Sequence, residues 1–130
     1  MLRHARILLL LLTVAGAPSL SYAVQHAYPI AAPPGATALI VIEKSGCFYC
    51  RLFRRDVGPA YAATPRAREV PMHYLDLEAA KARQLALARP IDVLPTVVLL
   101  RNGREVERIA GYMAPDNFVR VINFLLSRVP

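Results

Sequence analysis

Residues 38–42 run Ala38-Leu39-Ile40-Val41-Ile42 with no polar interruption. Alternation would mark a strand with one wet face. A continuous apolar run of this length, closed by Lys44-Ser45-Gly46, predicts a strand over 38–44 covered on both faces. After Cys47 the period changes. Phe53, Val57 and Tyr61 (or Ala60) recur at helical spacing while Arg51, Arg54 and Arg55 share another face, so a helix is predicted, which Gly58-Pro59 must kink or end. Residues 72–77 read as a second strand, and Asp76 suits the N-cap of a helix through residue 88 that Pro90 prevents from continuing. Residues 97–101 and 105–109 are predicted strands joined by Asn102-Gly103, a strong hairpin signal, with Gly111 ending the second. Pro115 can open a last helix, where Phe118, Val121, Ile122 and Leu125 form one stripe. A parallel βα half followed by an antiparallel ββα half predicts the α/β class: a mixed four-stranded sheet, βαβ-α-ββα, with helices on both faces.

The N-terminus falls outside this pattern. Arg3 and Arg6 precede an apolar stretch, residues 7–17, and Ser21-Tyr22-Ala23 offers small residues where a signal peptidase reads. The stretch is well short of the ~20 residues of a membrane-spanning helix. Residues 1–23 are therefore expected to be a signal peptide, with a retained anchor as the alternative. Residues 24–36, rich in Ala and Pro, are expected to be an extended lead-in, and 37–130 a single domain. With no adjacent arginine pair before the apolar stretch, the general secretion route and a periplasmic location are expected. Removing Arg3 and Arg6 lowers the formal charge from +7 to +5. No basic block or basic-aromatic stripe occurs, so nucleic acid is not an expected partner, and the mild excess suits acidic partner proteins.

The chemistry lies in Cys47 and Cys50, the two cysteines of the chain, in Ser45-Gly46-Cys47-Phe48-Tyr49-Cys50. An attacking sulfur must be a thiolate, which the free N–H groups of a first helical turn favour. A second sulfur three residues on can release the mixed disulfide by closing an internal bond. The expected roles are Cys47 as exposed nucleophile and Cys50 as shielded resolving thiol. A bridge this short constrains the unfolded chain little, so structural stapling is a poor reason for it. Zinc is the main rival for such a pair, but it needs two further ligands, and His26 and His73 show no paired ligand spacing. No cofactor beyond a Cys47–Cys50 redox disulfide is expected.

With this motif and element order, the chain resembles the thioredoxin family over essentially its whole mature length. Leu94-Pro95-Thr96, just before Val97-Val98-Leu99-Leu100, supports the match. The resemblance implies a thioredoxin fold, Pro95 as a cis proline packed against the dithiol, and Leu94 as the residue whose backbone pairs with substrate. It also implies Gly111-Tyr112 as another wall of the groove, with Gly46, Phe48 and Tyr49 completing the substrate surface. Within the family, Gly46 to Tyr61 with Gly103-Arg104-Glu105-Val106 and Ile109-Ala110-Gly111-Tyr112 is similar to the periplasmic members that accompany bacterial sulfur-oxidation (Sox) systems. That similarity implies a reductant of the Sox sulfur-carrier protein, recharged by a membrane thiol transporter; separately, a monomer is expected.

The departures also matter. Phe48-Tyr49 replaces the Gly-Pro of reducing thioredoxins, Gly46 stands where they carry Trp, and Val41 where they carry a buried Asp. Glu43 lies on the same side of the strand as Val41, one pleat nearer the dithiol, which makes it the candidate proton relay for Cys50; a strand-end carboxylate paired with Lys44 or an Arg is the plainer alternative. Potentials in this fold run from roughly −270 to −120 mV, so a disulfide oxidase or isomerase stays open as an alternative, as does a Cu/Zn metallochaperone using the same thiols.

Overall fold

A computed structural model of the protein describes residues 35–83 and 85–128. The predicted signal peptide, and the lead-in as far as residue 34, lie outside the described residues.

Strand β1 (Thr37–Glu43) occupies the middle of the sheet because it has nothing to offer water: Leu39, Ile40, Val41 and Ile42 are all buried. It pairs in parallel with β2 (Met72–Asp76) and antiparallel with β3 (Thr96–Arg101), which pairs antiparallel with β4 (Arg104–Ala110), in the order β2-β1-β3-β4. The pleat divides the core in two. Leu39 and Val41 face a cluster with Phe53, Val57, Tyr61, Phe118 and Ile122, drawn from α1 (Phe48–Leu52) and its continuation and from the C-terminal helix, Pro115–Arg128. Ile40 and Ile42 face the other cluster, with Leu75, Ala80, Val98 and Leu100. The fold is the mixed four-stranded α/β sheet expected.

The helix that follows the dithiol survives Gly58-Pro59. Phe48–Leu52 runs directly into a π turn, Phe53–Val57, and then into α2 (Gly58–Ala62). Pro59 has no N–H to give, and its ring would crowd a carbonyl of a regular α turn. The π turn widens the preceding register, so the Gly58 N–H donates to the Phe53 carbonyl. Gly58 is also needed because a Cβ there would collide with the Tyr74 hydroxyl. Beyond a short helix α3 (Arg66–Glu69), the buried Tyr61 phenol donates to the Val70 carbonyl at 2.6 Å, and burial pushes its pKa up to about 12.

One expected element is shorter than its pattern implied. The helix after β2, α4 (Leu77–Ala82), ends well before residue 88, although Asp76 caps it as expected, its carboxylate accepting from the Glu78 N–H at 2.8 Å. Beyond it, Leu85, Leu87 and Ile91 pack onto the second core face, and the backbone is tied to β4 where a helix would have continued: the Glu105 N–H donates to the Ala86 carbonyl at 3.0 Å, while the Leu87 N–H turns back to the Leu85 carbonyl at 2.7 Å. Leu85 and Leu87 are two apart, a spacing that suits an extended segment on a sheet face better than a helical stripe. The last helix, α5 (Pro115–Arg128), covers the first face, with Phe118 edge-on to Phe53 and Tyr61 at ring distances of 5.3 and 6.0 Å.

Candidate active site

β1 ends at Glu43, and residues 44–47 turn the chain into α1 through Gly46, which adopts a positive φ of 80° that suits glycine. Cys47 is the N-cap of α1, and its sulfur accepts the Cys50 N–H at 3.2 Å. The two sulfurs form a disulfide across Cα atoms 5.3 Å apart. They differ in setting: Cys47 is partly exposed, whereas Cys50 is 4% exposed. A reagent approaching from solvent therefore meets Cys47 first.

Glu43, Gly46, Cys47, Cys50, Arg54 and Asp76 line one shallow depression. Two of its charges, Glu43 and Arg54, pair with each other. Arg54 grips both Glu43 oxygens through Nε and Nη2 and lies over the Tyr74 ring at 3.9 Å. The Glu43 hydrogen bond raises the Arg54 pKa above its ordinary value. Arg55 pairs with Asp56, and its hydrogen bond holds that carboxyl below the usual range. Arg51 donates to the Gly46 carbonyl at 3.3 Å and lies over the Phe48 ring. Two of the three arginines predicted to share a helix face thus have carboxylate partners.

Phe48 and Tyr49 are 58% and 55% exposed, and their rings meet edge-on at 5.4 Å. Tyr49 also approaches Tyr112 at 6.3 Å, and the Tyr112 hydroxyl reaches Asp56 at 3.5 Å. These contacts join the dithiol helix to the loop after β4. That loop meets the Leu94-Pro95 segment in turn: the Gly111 N–H donates to the Pro95 carbonyl at 2.8 Å. The Leu94–Pro95 peptide bond is cis, Pro95 is buried, and the Leu94 side chain packs into the second core cluster. Just upstream the Thr96 hydroxyl donates to the Val93 carbonyl at 2.6 Å, leaving the Val93 side chain exposed. The structure thus gathers the predicted residues as two linked groups: Glu43, Gly46 and the cysteines in the depression, and Phe48, Tyr49, Tyr112, Gly111, Pro95 and Leu94 along the aromatic side.

Asp56, Asp76 and Arg54 were not singled out as pocket or bridging groups by the sequence. Asp76 was legible as a cap, and its alignment with Glu43 follows from the parallel β1–β2 register, which pairs these two residues at the strand ends. Nothing in the spacing announces Asp56, and Arg54 was legible only as one of three arginines on a helix face, any of which could have paired with Glu43. Among the described residues, no group of three or more His, Cys, Asp or Glu side chains is placed to hold a metal ion, and no helix is long and apolar enough to cross a membrane.

A sheet that presents a partly exposed cysteine bonded to a shielded one at the start of a helix defines a thiol-disulfide oxidoreductase. The chain belongs to the thioredoxin-like family, whose domain model matches residues 24–126. Among solved structures it is similar to the periplasmic thioredoxin SoxS of Paracoccus pantotrophus in its reduced form, at 30% identity and a TM-score of 0.66, over 72% of this chain and 99% of that one. It is also similar to Trxlp of Edwardsiella tarda (26% identity, TM-score 0.52, 71% and 84% of the two chains). A thioredoxin of Malassezia sympodialis shares the fold at 19% identity and a TM-score of 0.55, over 72% and 78%. No match is found among curated protein sequences.

Proposed function

We propose that this protein is a periplasmic reductant of a partner-protein disulfide, with residues 1–23 as its export signal, 24–36 as a lead-in and 37–130 as the working domain. The observation that carries the reading is the unequal exposure of the two bonded sulfurs. In the reduced protein, the Cys47 thiolate attacks one sulfur of the partner disulfide; that S–S bond breaks, the other partner sulfur leaves as a thiolate and takes a proton, and a mixed disulfide remains. Cys50 then loses its proton and attacks the Cys47 sulfur. The second partner sulfur leaves, and two electrons have passed to the partner as the Cys47–Cys50 bond closes. The N–H of Cys50, aimed at the Cys47 sulfur, is positioned to favour its anionic form.

Leu94 and Pro95, with Gly46, Phe48, Tyr49, Gly111 and Tyr112, would receive an extended partner segment. The exposed rings beside Cys47 support this role. Glu43 is proposed to take the Cys50 proton, directly or through a water. It shares the depression with Cys50, and its two oxygens accept from Arg54, which fixes the carboxylate at the strand end. The similarity to the periplasmic thioredoxin SoxS supports the Sox sulfur-carrier protein as the partner and a membrane thiol transporter as the electron donor.

The test is trapping in periplasmic extract. A Cys50→Ser protein should hold its partner covalently on Cys47, releasable by dithiothreitol, while Cys47→Ser traps nothing. Recovery of a sulfur-carrier subunit supports the specific assignment, and capture of many envelope proteins supports a general redox role in its place. Equal trapping by both variants would overturn the assignment of Cys47 as nucleophile.

A further inference from the structure

We infer that the buried pair Glu105–Arg108 on β4 is a positioning device for the partner-docking segment at Leu94–Pro95. This rests on the docking role proposed above for that segment. The two side chains are 4% and 7% exposed, on a sheet edge that is otherwise largely open to water. Arg108 Nε and Nη2 donate to the two Glu105 oxygens, at 2.5 and 2.7 Å. The guanidinium then reaches beyond its own strand: Nη1 donates to the Pro90 carbonyl at 3.0 Å and Nη2 to the Arg89 carbonyl at 2.8 Å. The other end of the pair does the same, for Glu105 Oε2 accepts the Ala88 N–H at 2.7 Å.

The pair thus binds three consecutive residues, Ala88, Arg89 and Pro90, that lie in no helix or strand. An apolar pair could fill the same volume but could not satisfy two adjacent carbonyls and an N–H. A flat guanidinium with several N–H donors in a fixed fork can do so while also holding a carboxylate, and a lysine cannot reach all these acceptors at once. The chain leaves this clasp at Pro90 and runs through Ile91, packed on the second core face, to Val93, whose carbonyl Thr96 holds, and Pro95, whose carbonyl Gly111 holds. The Leu94 backbone is suspended between these anchors. Loosening the first should change where Leu94 presents its backbone while leaving the cysteines on α1 untouched.

The test uses insulin as a protein disulfide and a small aromatic disulfide that needs no docking, with Arg108→Lys, Arg108→Met and Glu105→Gln. Arg108→Lys should raise KM for insulin about tenfold while kcat and the rate with the small disulfide stay within about twofold, the signature of lost positioning. Amide exchange should quicken at Gly111 as well as at Ala88. If KM for insulin is unchanged while Ala88 alone exchanges faster, or if both disulfides slow equally, the pair is merely structural and the inference is overturned. Should Arg108→Met or Glu105→Gln fail to fold, Arg108→Lys, which keeps the charge beside Glu105, still decides. A wild-type protein that cannot reduce insulin would count against the proposed reductase activity; the Gly111 amide would then judge the clasp alone.

Discussion

Cys47, partly exposed, and Cys50, shielded beneath it, differ in what solvent can reach although only three residues part them, a spacing that a sequence displays. Which arginine Glu43 would pair with, and what Arg108 would grip, were not readable, since those partners come from distant elements. Glu43 meets Arg54 only because β1 and the π turn pack side by side, and Arg108 meets Arg89 and Pro90 only because a loop crosses β4. Glu43→Gln should slow disulfide exchange and shift its pH profile if the carboxylate accepts the Cys50 proton; an unmoved profile returns Glu43 to the plainer role of ion-pair partner for Arg54. Gly58 allows a sharper prediction. A methyl group there meets the Tyr74 hydroxyl, so Gly58→Ala should destabilise the protein by ~1–3 kcal/mol in urea unfolding. Adding Tyr74→Phe removes the colliding oxygen and should recover much of that loss; no recovery would mean that strain in the π turn is responsible.

At the scale of elements, strands were easier to foresee than helices. The unbroken run in β1 and the Asn102-Gly103 hairpin are local signals, and both formed where read, with Asn102 at φ 51° and Gly103 at 74°. The π turn was not foreseen in kind: Gly58-Pro59 announced a disturbance, but whether a helix stops or widens depends on what it packs against. Here Phe53, Val57 and Tyr61 all remain buried on the same sheet face, which rewards continuation. The overlong expectation for α4 failed for the converse reason, because Leu85 and Leu87 are held by the sheet and the backbone between them by β4. α5 depends on one ring for its seat. Phe118 is fully buried between Phe53 and Tyr61, so Phe118→Ala should cost ~3–5 kcal/mol of stability. Calorimetry should show the loss, with Cys47 in the surviving folded fraction still reacting at its wild-type rate with a small disulfide.

For the molecule as a whole, the response to alkali follows from two phenols, Tyr61 buried and Tyr74 partly buried. Burial raises the pKa of Tyr61 to about 12 and that of Tyr74 in the same direction. Each phenol ionises more readily when unfolded, so the stability it contributes is complete below about pH 10 and is lost as the pH climbs toward the folded value. Urea midpoints should fall across that range, and Tyr61→Phe should flatten the fall; an equal slope in the variant would place the effect elsewhere. A different whole-molecule property follows from the clasp on β4. The sulfurs ride on α1, while the segment proposed to greet the partner hangs from β3 and β4. Client choice should therefore be mutable at that segment without touching electron affinity. A chimera carrying a relative's residues 85–93, with matching β4 side chains, should acquire new clientele at an unaltered potential, whereas exchanging Phe48-Tyr49, which both adjoin Cys47 and line the proposed docking surface, should alter potential and clientele together.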